Sequence, residues 1–224
     1  RQPTTFAETR DTFDIDLQHD RAWGERQHLT YGLSFRESED RTGTAPGYAI
    51  IFDPARRRLH TFGAFAQDQI ALTDAVALTL GSKFEYNDFT GFEFQPSARL
   101  GWRLSPRWFT WTSLARAVRT PNRIDSDVGI YCPPPDGIPP ACGPGVFRLG
   151  NPDLDSEKLH ALDWGLRFGL GERISFDLAL YYNRYTDLRS TERDSFFGSF
   201  ANELEADGYG AELAANWQAR DTLL

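Results

Sequence analysis

The sequence predicts an all-β protein, an antiparallel up-and-down transmembrane β-barrel of which the chain holds about nine to ten strands. Strict apolar/polar alternation is the first sign. From Leu162 every second residue is apolar (Leu162, Trp164, Leu166, Phe168, Leu170), with Ala161, Asp163, Gly165, Arg167 and Gly169 between them. After a tight Gly171-Glu172-Arg173 turn it resumes with Ile174, Phe176, Leu178, Leu180 and Tyr182 against Asp177, Ala179, Tyr181 and Asn183. Successive side chains on a strand point to opposite faces, so such segments form a sheet with one fatty and one wet surface. The second sign is length, about twice that of ordinary soluble strands. The third is that short and long connections take turns, which puts the short turns at one rim and the long loops at the other. Barrels of bacterial outer membranes do the same, with short periplasmic turns and long extracellular loops.

Composition narrows the alternatives. The chain has 224 residues, a formal charge of −8 and 25% charged side chains, with a mean hydropathy of −0.49. No apolar run approaches the roughly 18 residues of a transmembrane helix, which excludes a helical membrane protein but not a barrel, half of whose strand residues are polar. Aromatic content is high at 14%. The acidic balance argues against nucleic acid as a partner. The chain has no Met and no signal-peptide pattern, and it stops at Leu223-Leu224 where another strand begins. It therefore reads as an internal fragment of a longer precursor. Cys132 and Cys142 lie ten apart in a Pro-rich loop, and a local disulfide formed in an oxidising compartment is expected.

Taken in order, the first strand runs from about Phe6 to Gln18, with Phe13, Ile15 and Leu17 on one face. A connection at Asp20–Glu25 leads to the second, where Leu29, Tyr31, Leu33 and Phe35 alternate with His28, Thr30, Ser34 and Arg36. A long polar loop covers Glu37–Arg57. Strand three spans about Leu59–Leu72, and the facing of its Phe62–Asp68 stretch stays open. Strand four follows a Thr73-Asp74 turn, with Val76, Leu78, Leu80, Phe84 and Tyr86 on the apolar side. Strand five sets Ala98, Leu100, Trp102 and Leu104 against Ser97, Arg99, Gly101 and Arg103, and strand six runs from Trp108 to Arg119. The longest loop, Thr120–Ser156, holds eight of the 13 prolines. Strands seven and eight are the pair described above. A loop at Leu188–Glu205 precedes strand nine, which carries Tyr209, Ala211, Leu213, Ala215 and Trp217 on one face, and Ala219-Arg220-Asp221 opens a tenth. Aromatics near strand ends (Tyr86, Trp102, Trp108, Phe109, Tyr182, Tyr209, Trp217) suit interfacial girdles.

Several stretches resemble a known family. Phe65-Ala66-Gln67-Asp68-Gln69-Ile70 and Leu80-Gly81-Ser82-Lys83-Phe84-Glu85-Tyr86 look like a strand pair of TonB-dependent outer-membrane receptors. Gln95-Pro96-Ser97-Ala98-Arg99-Leu100, Ala115–Pro121, Gly150-Asn151-Pro152-Asp153-Leu154 with Glu157 and Trp164-Gly165, and Asp177–Asp187 are similar to later family motifs in the same order. The resemblance covers about residues 60–218. It implies a segment of a 22-stranded barrel that imports scarce nutrients, most often ferric siderophores, in Gram-negative bacteria. The implied partners are an iron chelate or other small nutrient, TonB and the receptor's own plug domain through an N-terminal part outside this chain, and outer-membrane lipid and lipopolysaccharide. It also implies that the polar face meets the plug.

No catalytic constellation, cofactor motif or metal-ligand spacing is evident, and His19, His28, His60 and His160 are scattered one to a strand. The inward face is expected to carry Asp14, Asp16, Arg36, Lys83, Glu85, Arg99, Arg103, Arg116, Asp163, Arg167, Asp177 and Glu212. Candidate substrate contacts sit at the loop-side strand ends: Arg119, Arg123, Asp125, Asp127, Tyr185, Asp187 and Arg189. A guanidinium offers paired N–H donors to carboxylate or catecholate oxygens. Arg119 and Arg184 fall on the apolar parity, as snorkelling rim residues or at a bulge. Arg56-Arg57-Arg58 is either a solvated basic turn or a site for lipopolysaccharide phosphates or an anionic substrate. Phe196, Phe197 and Phe200 either pack under loops or face substrate. The alternatives to a TonB-dependent receptor are a passive porin-like barrel and a soluble secreted carbohydrate-binding module.

Overall fold

A computed structural model describes residues 6–44, 50–132, 145–171, 173–193 and 198–219, with backbone alone for residues 131, 132 and 145–147. The elements in chain order are β1 (Phe6–Trp23), β2 (Gln27–Thr44), β3 (Ile50–Phe52), β4 (Arg56–Ala71), β5 (Val76–Asn87), β6 (Gly91–Ser105), β7 (Trp108–Arg119), α1 (Arg123–Asp127), β8 (Val128–Cys132), β9 (Gly145–Arg148), β10 (Glu157–Leu170), β11 (Ile174–Glu192) and β12 (Ser199–Trp217). Nine of these strands make one antiparallel sheet in the order β1-β2-β4-β5-β6-β7-β10-β11-β12, and β3-β8-β9 form a small second sheet.

Ladder registers define the two faces. Ile15, Phe35, Phe62, Tyr86 and Phe92 lie in one cross-strand row, and Leu114, Leu162, Tyr182 and Tyr209 in another on the same face. Below them the face is mainly apolar, interrupted by His19 and Arg21 of β1 and Asp68 of β4, down to Trp23, Trp102, Trp108 and Trp217, next to the short turns. At about 3.4 Å per residue and a tilt near 40°, the 8 to 10 residue steps from Phe13 to Trp23 or Tyr209 to Trp217 make a band about 21–26 Å tall, the height of the apolar belt of a membrane barrel. The opposite face is wet and holds ion pairs such as Asp14–Arg36, Lys83–Glu85 at 2.6 Å and Arg167–Asp177 at 2.5 Å. Among the described residues only Val128 and Leu154 are buried hydrophobics, and neither belongs to this sheet.

The structure corrects several boundaries. The polar stretch 37–57 is mostly strand, because β2 runs on to Thr44 and pairs with β4 from Arg56. Likewise β11 continues to Glu192 and β12 begins at Ser199, which leaves a connection far shorter than Leu188–Glu205. Alternation continues through these charged segments (Arg36, Ser38 and Asp40 on one face, Glu37, Glu39 and Arg41 on the other), although neither face is apolar there. Among the described residues the loop 120–156 also holds a helix, α1. The start of a tenth strand at residues 220–224, the Cys132–Cys142 pairing, and Phe196 and Phe197 lie outside the described residues.

Two face assignments also change. In β7 the registers put Leu114 beside Ala98 and Leu162, so the even residues share the apolar face and the odd ones the polar face. Arg116 therefore leaves the polar face and Arg119 joins it, and Phe109 is a polar-face residue, not a girdle one. Pro96 explains where Arg116 goes. The β6–β7 ladder runs only from Ser97 downward, and above it Arg116 reaches across to donate to the Phe94 carbonyl. In β4, Phe65 lies over Gly32 on the polar face, and Asp68 falls on the apolar parity with one carboxylate oxygen buried and unpartnered. Arg184 does stand on the apolar parity, one step beyond Tyr182, paired with Glu205 at 2.8 Å.

Aromatic rings on the polar face cover cross-strand glycines. A Cβ on Gly165 would come within 2.3 Å of the Trp111 indole nitrogen. The missing side chain is thus what lets the ring lie flat across the neighbouring strand.

Candidate functional site

Beyond the apolar band, at the end opposite the short turns, the chain builds a polar cap over the wet face. It starts with α1. Asn122 caps the helix by accepting from the Ile124 and Asp125 amides, and the Asp125 carboxylate accepts in return from the Asn122 amide at 3.0 Å, a reciprocal capping box. The following strand β8 joins β3 through Ile50, Ile51 and Phe52, which ties the β2–β4 connection to the 120–156 loop. Gly150 and Asn151 close over the far end of the helix, donating to the Val128 and Asp125 carbonyls at 2.9 Å. A Cβ on Gly150 would lie 2.6 Å from the Ser126 carbonyl carbon, so this approach requires glycine.

Two ionic knots hold the cap. In the first, Arg123 is only 5% exposed and donates to Asp127 at 2.8 Å, to Asp40 of β2 and to the Pro54 carbonyl. Its guanidinium also lies 5.4 Å from the Phe52 ring centre. Arg57 of β4 completes this knot, 2.6 Å from Asp127 and stacked over Phe89. Burial alone would push the Asp127 carboxyl up, but hydrogen bonds from Arg57, Arg123 and Ser126 outweigh it and hold it below its ordinary value.

In the second knot Asp125, 1% exposed, accepts from Arg119 of β7 at 3.2 Å and from Arg189 of β11. Arg119 also grips Glu157 of β10 through two bonds of 2.7 and 2.5 Å, and the Arg189 amide donates to the same carboxylate at 3.0 Å. Arg119 and, more weakly, Arg189 hold the Glu157 carboxyl below its usual range, while Glu157 raises Arg119. The two guanidiniums keep 49% and 39% of their side-chain surface open.

The structure thus brings together five of the seven sequence-nominated residues, Arg119, Arg123, Asp125, Asp127 and Arg189. Arg123, Asp125 and Asp127 are buried with their polar atoms engaged by protein. The other two stand beside the knots. Tyr185 lies over Gly208 on the wet face. Asp187 sits at an irregularity of the β11–β12 ladder with φ of 56°, pairing with Lys158 at 2.5 Å, and its carbonyl accepts from Asn202. Phe200 lies under the Arg189 guanidinium at 4.8 Å. Sequence reasoning missed Asp40, Arg57 and Glu157 as members of the knots. Unbroken alternation past Phe35 was the available signal for Asp40, which shares parity with Arg36.

The triple arginine is split by strand parity. Arg57 enters the cap, whereas Arg56 and Arg58 stand on the opposite face and, with Arg41, surround Glu39 at 2.7–2.9 Å. Bonds from Arg56, Arg58 and Arg41 lower the Glu39 carboxyl to about 2.

Comparison with known proteins agrees with this architecture. A family model described as TonB dependent receptor-like, beta-barrel, matches residues 2–224. The ferric enterobactin receptor of Pseudomonas aeruginosa is 30% identical over 111 residues, 49% of this chain and 15% of that protein. An iron-regulated outer membrane virulence protein of Vibrio cholerae is 24% identical over 126 residues, 56% of this chain and 18% of that protein. In fold the chain is similar to the siderophore receptor PirA of P. aeruginosa (TM-score 0.72, 17% identity, 92% of this chain, 37% of that one). It is equally similar to the ferric enterobactin receptor PfeA of the same organism (TM-score 0.74, 20% identity, 96% of this chain, 34% of that one). The chain spans about a third of the length of these solved receptors. It belongs to the TonB-dependent receptor family and forms wall and outer loops of the family's β-barrel.

Proposed function

We propose that this chain is the part of a Gram-negative outer-membrane receptor that frames the extracellular mouth of its barrel, and that the whole receptor takes up a ferric siderophore with energy from TonB. The observation that carries the reading is the pair of half-exposed guanidiniums, Arg119 and Arg189, held on the lumen side of the mouth by Asp125 and Glu157. Charge-assisted N–H donors in fixed positions suit the oxygen-rich surface of an anionic iron chelate. The named relatives, receptors for ferric enterobactin and other siderophores, support an iron chelate as cargo. In this reading Arg119, Arg189 and Tyr185 face the chelate, with Asp187 at the edge. Arg123, Asp125 and Asp127 are positioning residues that hold the mouth in shape. The receptor binds and moves its cargo without changing it chemically.

The test uses the full-length receptor in an iron-starved strain that lacks its other siderophore receptors. Uptake of labelled ferric enterobactin, or of another catecholate chelate, is expected to require both this receptor and TonB. Replacing Arg119 and Arg189 together by alanine is expected to weaken chelate binding about 10- to 100-fold, the loss of at least one hydrogen bond between charged groups. Uptake that proceeds without TonB, or ion conductance by the purified receptor without an energy source, would point instead to a passive porin.

A further inference from the structure

The wall has an open seam beneath the mouth. β6 and β7 share a backbone ladder only from Ser97 downward, although β6 continues up to Gly91 beside β5 and β7 up to Arg119 beside β10. Side chains bridge the gap instead. Arg116 of β7 donates to the Phe94 carbonyl, and the Val118 amide donates to Gln95 Oε1 at 3.4 Å. A third bridge passes over β7 altogether. Ser156, 2% exposed at the entry to β10, donates its hydroxyl to Glu93 Oε1 of β6 at 2.5 Å. Glu93 is itself only 7% exposed. The same oxygen accepts from the Thr90 hydroxyl at 2.8 Å, which in turn accepts from Asn87 Nδ2 at 3.1 Å. Asn87 also accepts from the Phe89 and Thr90 amides at 2.9 Å, so the turn between β5 and β6 is shaped to present a hydroxyl to the carboxylate. Arg116 stands 3.9 Å from the other Glu93 oxygen, too far for a hydrogen bond.

We propose that Glu93, acting through Ser156, is a positioning residue for chelate binding: it fixes the start of β10 across the seam, and with it the Glu157 carboxylate that holds Arg119 and the Arg189 amide. For the role of the two guanidiniums the inference rests on the uptake reading above. The line of contacts is short. Glu157 is the top rung of the β7–β10 ladder, opposite Arg119, and stands one residue above the highest β10–β11 pair, Lys158 with Thr186. A strand end paired on one side only opens easily, and Ser156, the next residue, is where the clamp sits. The fork of two charge-assisted bonds between Arg119 and Glu157 is directional and tolerates little displacement of the carboxylate. A buried carboxylate held mainly by neutral hydroxyls adds little net stability. What it adds over an apolar side chain is a fixed direction for the Ser156 hydroxyl.

The experiment measures binding of ferric enterobactin by the full-length receptor in detergent, together with the rate at which phenylglyoxal modifies Arg119, read by mass spectrometry. Glu93→Leu and Ser156→Ala are each expected to weaken binding about tenfold. Both are expected to speed modification of Arg119, because a guanidinium released from Glu157 is open to the reagent. Glu93→Gln keeps an oxygen for both hydroxyls and is expected to bind within about threefold of the wild type. In the R119A/R189A background Glu93→Leu is expected to change binding no further. Unchanged binding and unchanged Arg119 modification in Glu93→Leu overturn the proposal. So does a comparable loss of binding in both backgrounds, which makes Glu93 a general support of the fold. Where the wild type does not bind this chelate, the modification rates decide alone. Heat-modifiable gel mobility checks assembly, and should Glu93→Leu fail that check, Ser156→Ala, which removes one hydroxyl, replaces it. If R119A/R189A binds the chelate as well as the wild type while Glu93→Leu still exposes Arg119, the uptake reading fails and the positioning by Glu93 stands.

Discussion

The wall and the cap are built from the same strands and held together in different ways. In the wall, strands pair side by side and each ring or aliphatic chain faces its surroundings, so the sheet has two surfaces and no interior. In the cap, extensions of β2, β4, β7, β10 and β11 carry charges that fold inward on α1, and its buried side chains are mostly polar, Asp40, Arg123, Asp125, Ser126, Asp127 and Ser156 beside Val128 and Leu154. The wall borrows its solvent on the apolar side, whereas the cap makes its own low-dielectric centre and fills it with ions. Buried ion pairs of this kind contribute little net stability over an apolar core, but leaving one member unpaired is costly. The cap is therefore the layer in which a single charge decides the geometry.

The largest expected effect follows from that difference. Arg123→Met leaves Asp40 and Asp127 without their shared guanidinium and is expected to cost the cap about 3–5 kcal/mol. Limited proteolysis of the full-length receptor should then cut within residues 50–57 and 120–128, while the heat-modifiable mobility of the barrel persists. A somewhat smaller effect belongs to the wall. Leu213→Arg places a cation in the middle of the apolar band and is expected to cost about 2–4 kcal/mol, measured by urea unfolding in liposomes. Ala214→Arg, one residue along and on the lumen face, is expected to cost much less. Similar losses at both positions would mean that the face assignment of β12 is wrong.

The smallest and most gradual effect is that of pH. Asp127 and Glu157 have folded-state pKa values below their ordinary 3.8 and 4.5. Their contribution is therefore present in full at neutral pH, begins to fade as pH falls toward about 4, and is lost once pH drops through the folded values. Chelate binding by the full-length receptor is expected to weaken over this range as the cap loosens. Circular dichroism of the wall is expected to stay constant.

The wall was legible in the sequence because its rule is local. A period of two, sustained for a dozen residues and broken by tight turns, needs no knowledge of the neighbouring strand. It failed where a neighbour matters. In β7 both parities carry large rings, and only Gly165 on the next strand reveals that Trp111 has room to lie on the polar face. Arg116 likewise takes its side from the register with the neighbouring strands, and the ladder break at Pro96 leaves the Phe94 carbonyl for it to bind. The cap was legible as a set of charges near strand ends but not as an arrangement. Arg123 meets Asp40 across 83 positions, and Arg189 meets Asp125 across 64, and no local pattern encodes such pairings. Strand extensions such as Arg36–Thr44 were hidden for another reason: where neither face is apolar, alternation carries no hydropathy contrast.

Wall and cap as separately stabilised layers can be tested most directly by hydrogen exchange on the full-length receptor in detergent, comparing the wild type with Arg123→Met. The expected result is a loss of protection at α1, β3 and the upper ends of β2 and β4, with unchanged exchange from Phe62 to Ala71 and throughout β5, the lower part of β6 and Ile174–Tyr182. Uniform loss of protection across these wall segments, or none in the cap, would contradict the account.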